Sequence, residues 1–126
     1  MEAINNAAGA PKPVGAYSQA VTAAGLVFCA GQVGLVPETG KMVDGGVLEQ
    51  ARQVLTNLRA VLEATGSGTD KIVMTTIFLA NISDAPVVNE LYASFVSSTA
   101  APARQTLAVK DLPLGALVEI SVIAEQ

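Results

Sequence analysis

The chain has 126 residues, enough for one domain with a buried core and too few for two. Apolar residues make up 51% and charged ones 14%, with a formal net charge of −4, which excludes a disordered chain and a nucleic-acid binder that relies on clustered Lys/Arg. There is no histidine and one cysteine, Cys29, which removes Ser-His-Asp and Cys-His nucleophile pairs, histidine-based metal sites and an intrachain disulfide.

Any chemistry must therefore use Arg, Glu, Tyr, hydroxyls and backbone. So low a charge density in a small domain is a sign of oligomerisation. No apolar run approaches the ~20 residues that span a bilayer. Met1 to Asn6 lacks a basic stretch followed by an apolar one, so no secretory signal is expected and a reducing cytoplasm fits best.

The first strands are expected at Tyr17 to Val21 and Leu26 to Val33, with Thr22-Ala23-Ala24-Gly25 as a hairpin turn between them. Cys29 has the look of a buried small hydrophobe, since Phe28 and Ala30 flank it and no basic neighbour activates it. Val47, Leu48, Ala51, Val54, Leu55, Leu58, Val61 and Leu62 then recur at helical spacing, with Asp44 as N-cap and Gly66 as stop. Ile72 to Ala80 reads as a central strand covered on one face. A second helix starts near Asp84, tolerates Pro86 in its first turn, buries Val88, Leu91, Tyr92 and Phe95, and fades before Pro102. Strands at Arg104 to Val109 and Leu117 to Ile123 complete the set.

This order predicts a single α+β domain over residues 1–126, one twisted sheet with two helices packed on one face. The other face is expected to meet another subunit. Alternation puts Val118, Ile120, Val122 and Ala124 under the helices and Glu119 and Ser121 away from them. By the same reasoning Arg104, Thr106 and Ala108 are expected on the face away from the helices, beside Glu119.

Arg104 offers a planar fork for a carboxylate, and Glu119 is a carboxylate in an otherwise apolar strand, where it is costly unless paired or used. Two readings stay open: a site that holds an anion and positions a water, or a salt bridge between the two across the sheet or a subunit boundary. Gly31, inside Cys29-Ala30-Gly31-Gln32, marks either close approach of a ligand or a packing glycine. Tyr17, expected to open a strand, can close a pocket or cap the core. Asn89 flanks the apolar face of the second helix and lines a site or faces solvent.

Pro13-x-Gly15-x-Tyr17-Ser18-Gln19, Gly31-Gln32, Pro37-x-Thr39-Gly40, Gln50-Ala51-Arg52-Gln53, Asn57-Leu58, Val88-Asn89-x-x-Tyr92-x-x-Phe95 and Pro102-Ala103-Arg104 with Val118-Glu119-Ile120 together resemble the RidA/YjgF family, from about Ala10 to the C-terminus. The resemblance implies a chorismate-mutase-like fold in a homotrimer, with a barrel of sheets inside and clefts between subunits. It also implies that another strand can lie between the last two. Members similar to this chain hydrolyse reactive enamines and imines, such as 2-aminoacrylate, 2-iminopropanoate and 2-iminobutanoate, to 2-keto acids and ammonia, with no cofactor or metal. By position, Arg104 would bind the substrate carboxylate and Glu119 orient the attacking water. The Gly31 backbone would bond the substrate, and Tyr17, Asn89 and Thr106 would line the cleft.

The chain departs from the family at Gln105 and Thr106, where relatives often have a small residue and a cysteine, and at Ala30, often a serine. The alternatives are a non-catalytic regulatory trimer that binds a carboxylate metabolite and, disfavoured by acidic charge and absent histidine, a ribonuclease or translation inhibitor.

Overall fold

In the computed structural model, which describes residues 1–126, ten strands and helices follow one another along the chain. They are β1 (Glu2–Ile4), β2 (Ala20–Ala23), β3 (Leu26–Cys29), β4 (Leu35–Val36), β5 (Lys41–Met42), α1 (Val47–Ala64), β6 (Ile72–Leu79), α2 (Ala85–Phe95), β7 (Ala103–Ala108) and β8 (Val118–Glu125). The main sheet has the order β1-β2-β3-β8-β6-β7, with only β6 and β7 parallel, and β4 and β5 form a separate ribbon. The expected α+β class stands.

A parallel pair needs a long crossover, and α2 supplies it between β6 and β7. Asp111 to Ala116 is short enough for a hairpin, yet β6 lies between β7 and β8. The β2–β3 hairpin turns on Ala24 and Gly25 alone, both in the left-handed region (φ 52° and 76°), as a two-residue turn requires.

α1 ends as its sequence indicates. Gly66 adopts φ 81°, and the N–H groups of Ser67 and Gly66 donate to Leu62 and Glu63 at 3.0 Å each, a Schellman stop. Its start differs from expectation: Gly46, not Asp44, is the N-cap, and its N–H donates to the Glu49 carboxylate at 2.9 Å. A side chain at Gly45 would collide with Glu49, so the approach is shaped by glycine rather than by an aspartate cap.

Val54, Leu58, Val61 and Leu62 of α1 and Val88, Tyr92 and Phe95 of α2 pack over Ile77, Leu79, Val118, Ile120 and Val122 of the sheet. Leu48 is exposed and Leu91 half-buried. Gln50 and Asn57 are buried in their place. Asn57 donates to the Leu35 carbonyl at 2.9 Å and accepts from Gln53 at 2.8 Å, while Gln50 accepts the Leu117 N–H at 2.8 Å. Thus α1 holds β4 and the segment leading into β8 by polar groups as well as apolar ones.

The opposite sheet face is partly apolar and uncovered in the single chain. Phe28 and Leu107 are each 40% exposed there, beside half-buried Phe78 and Ile123. Cys29 is buried among apolar groups, which pushes its thiol up to about 12 and leaves it unreactive. No helix is long and apolar enough to cross a membrane.

The segment before β2 is tied down by Gln19, which is 1% exposed. Its side chain accepts from the Ala7 N–H at 3.0 Å and donates to the carbonyls of Ala7 at 3.1 Å and Pro11 at 3.0 Å. Gln19→Ala strands these groups and is expected to cost about 2–4 kcal/mol in urea unfolding. A loss below about 0.5 kcal/mol would show that the loop does not depend on this amide.

Candidate functional site

β3 gives out at Cys29, and Tyr17 lies before β2 rather than in a strand. The chain steps through Ala30 and Gly31 and rejoins β8 by a bridge in which Gln32 and Ile120 exchange bonds of 2.9 and 3.1 Å. This brings Gly31 beneath Glu119. A Cβ at Gly31 would lie 2.7 Å from a Glu119 carboxylate oxygen, so the position requires glycine to let the carboxylate approach the backbone.

Glu119 opens into a cavity of about 440 Å³ walled by Val14, Val33, Leu35 and Leu114, with Tyr17 at its edge. Partial burial in these surroundings pushes the Glu119 carboxyl up from its ordinary value. Tyr17 is 52% exposed, and its hydroxyl accepts the Val14 N–H at 3.3 Å, closing a tight turn around Gly15. Leu114 is 70% exposed on the cavity rim, with a left-handed backbone (φ 59°) between Pro113 and Gly115.

Arg104 belongs to a second cavity, of about 400 Å³, between β7 and the start of α2. Asn89 and Thr106 line it with Ile77 and Val88. The Arg104 guanidinium donates to Asn89 Oδ1 at 2.6 Å and lies 5.1 Å from the centre of the Tyr92 ring. The Tyr92 hydroxyl in turn donates to Thr75 at 2.9 Å in the core.

The six expected site residues therefore fall into two groups, Tyr17, Gly31 and Glu119 in one cavity and Asn89, Arg104 and Thr106 in the other. The strand registers separate them. Arg104 pairs with Thr75 and Glu119 with Phe78, three positions apart on β6, so their side chains leave opposite faces of the sheet. Three residues along and two strand spacings across put the backbones about 14 Å apart.

This corrects the expectation that Arg104, Thr106 and Glu119 share the face away from the helices. Arg104 and Thr106 are on the helix side, and Gln105 is the residue of β7 that faces with Glu119, donating to Thr76 at 3.4 Å. Polar side chains signal the solvent face in a central strand. β7 is an edge strand, and beside the rim of α2 both of its faces reach water, so polarity does not set its phase. A salt bridge between Arg104 and Glu119 within one chain is excluded by the same geometry.

Tyr92 was legible as a core residue, and its contact with Arg104 was not. The available signal was its spacing of three from Asn89, which stacks the two on one helix face.

Comparison with known proteins matches residues 7–126 to the family model described as Endoribonuclease L-PSP. The chain is 47% identical over 115 residues to Reactive Intermediate Deaminase A, chloroplastic, of Arabidopsis thaliana, covering 91% of this chain and 61% of that longer protein. It is 44% identical over 117 residues to 2-iminobutanoate/2-iminopropanoate deaminase of Mus musculus, covering 93% of this chain and 86% of that one. A crystal structure of YyfA, a Rid-family protein from Yersinia pestis, superposes with a TM-score of 0.94 at 44% identity over 98% of both chains. The chain belongs to the Endoribonuclease L-PSP family, the RidA/YjgF family whose motifs it carries.

Proposed function

We propose that this protein hydrolyses 2-imino acids and the enamines from which they form to 2-keto acids and ammonia, at sites assembled from two copies of the chain. The observation that carries this reading is the division of the site. Arg104 and Glu119 lie on opposite faces of one sheet, each in its own cavity. A second copy seated on the uncovered face supplies the Glu119 half to the Arg104 half of its neighbour. In a closed ring of three, every chain gives one half to each side. The names of the plant and mouse relatives support the reaction class.

The chemistry asks little of the protein. An imine carbon is already electrophilic, so orientation and one positioned water suffice. Arg104 holds the substrate carboxylate by its fork, with Asn89 and Thr106 beside it, and the Gly31 backbone and Tyr17 close the other side. Glu119 accepts a proton from water as the oxygen bonds to the imine carbon, and the C=N electron pair moves to nitrogen, which takes up a proton from solvent. Glu119 then returns its proton to the amino nitrogen of the carbinolamine; the hydroxyl O–H bond breaks, its proton passing to solvent, as C=O forms, the C–N bond breaks and ammonia leaves. A carboxyl raised by burial is suited to both directions of transfer.

Nothing in either cavity favours RNA cleavage. Each offers at most one arginine, in a chain of net charge −4.

Ammonia release from an imino acid generated in situ tests the reading. Arg104→Ala is expected to lower kcat/KM about 10- to 100-fold, the worth of a charge-assisted pair. Binding of a 2-keto acid without turnover would instead mark a regulatory binder. When Arg104→Ala and Glu119→Ala chains are unfolded together and reassembled at equal amounts, random trimers carry about a quarter of the wild-type sites. No recovery above either variant alone would overturn the shared site.

The acid limb of kcat/KM supplies a further test. Burial raises the Glu119 carboxyl, so the base is lost on acidification earlier than an ordinary glutamate. Glu119→Gln should abolish that limb together with most of the activity. A profile flat down to about pH 4 would remove Glu119 as base.

A further inference from the structure

Arg104 is the terminal member of a chain of contacts that begins in the core. Thr75 is fully buried in β6, directly opposite Arg104 in the parallel register, and accepts the Tyr92 hydroxyl at 2.9 Å. Tyr92, itself buried, turns its ring toward the Arg104 guanidinium, 5.1 Å from the ring centre and within cation–π range. Asn89, one turn earlier on α2, accepts from the same guanidinium at 2.6 Å. An arginine has five N–H donors, and one bond to Asn89 with one covered face leaves the rest of the fork free.

We propose that Asn89 and Tyr92, braced by Thr75, form a preformed guanidinium cradle, and that both are positioning residues acting through Arg104. This deepens the reading of Arg104 as the carboxylate anchor and rests on it. The physical basis is entropy. An exposed arginine on an edge strand samples many rotamers, and each must be surrendered when a small carboxylate binds. The cradle surrenders them beforehand: the ring fixes the plane of the guanidinium and Asn89 fixes its rotation within that plane. Tyr92 can do so because its hydroxyl is itself anchored, and a ring free to tilt would not define a plane.

A cradle built from α2 does not need the arginine's own stem, which yields a test that a merely structural role does not pass. In Arg104→Ala, guanidinium chloride at low millimolar concentration is expected to bind in the vacated place. It should shift the Asn89 side-chain amide and Tyr92 ring signals saturably in NMR, and raise kcat/KM of that variant about tenfold, where ammonium and urea do neither. Arg104→Ala/Asn89→Leu should lose both effects, and since Asn89 is exposed this variant is expected to fold. Arg104→Ala/Tyr92→Phe keeps the ring but not its brace and should show weakened rescue. With Arg104 present, Asn89→Leu should raise KM by about tenfold and leave kcat nearly unchanged.

No saturable shift in Arg104→Ala, or a shift that persists without Asn89, overturns the cradle. A saturable shift with no activity in any variant or in wild type leaves the cradle standing and overturns the deaminase reading.

Discussion

Side-chain alternation along β6 governs where this protein can act. β6 is bonded to β7 on one side and β8 on the other, so its registers fix the phase of both neighbours at once. Thr75, Ile77 and Leu79 face the helices and bring Arg104, Thr106 and Ala108 with them. Thr76 and Phe78 face away and bring Gln105, Ser121 and Glu119. A slip of one residue in either pairing would exchange these sets and expose core positions, so burial of Ile77, Leu79 and Ile120 holds the two cavities apart. The hydrophobic core and the layout of the site are thus one decision.

Much of this is legible in the sequence. Both helices, the central strand and the phase of β8 follow from apolar periodicity, because each packs one well-defined face against a single core. Gly66 declared the end of α1 by its type alone. What the sequence could not give was the phase of β7, where Arg104, Gln105 and Leu107 all reach water and the alternation signal is blank. The short β1, β4 and β5 leave no sequence signal for a related reason: two or three residues are too few for a period to repeat. Likewise Asp44 looked like a cap, and a pair of glycines with a later glutamate did its work.

Which residues line cavities is more legible in the sequence than how those residues are arranged. The motifs identified Tyr17, Gly31, Asn89, Arg104, Thr106 and Glu119, and each lines one of two cavities. Their separation depends on strand order, which composition and spacing do not encode. The buried amides Gln19, Gln50 and Asn57 belong to the same lesson. Each reads as an ordinary polar residue, yet each ties down the backbone of a separate segment, Gln19 at Ala7 and Pro11, Gln50 at Leu117 and Asn57 at Leu35. A chain so poor in charge relies on neutral hydrogen bonds to shape its loops, and these keep their strength whatever the salt concentration.

The rim residue Leu114 has a consequence for how the protein can change. Its left-handed backbone is set between Pro113, which fixes φ, and Gly115, which is itself left-handed. The loop's course therefore does not rely on a side chain that projects into solvent at the mouth of the Glu119 cavity. Residues that determine the loop's shape and the residue that lines the cavity mouth are different ones here. Such a position can drift in size and polarity, most readily toward asparagine or glycine, without disturbing the fold. The lining of this rim can thus change while the backbone around Glu119 keeps its course.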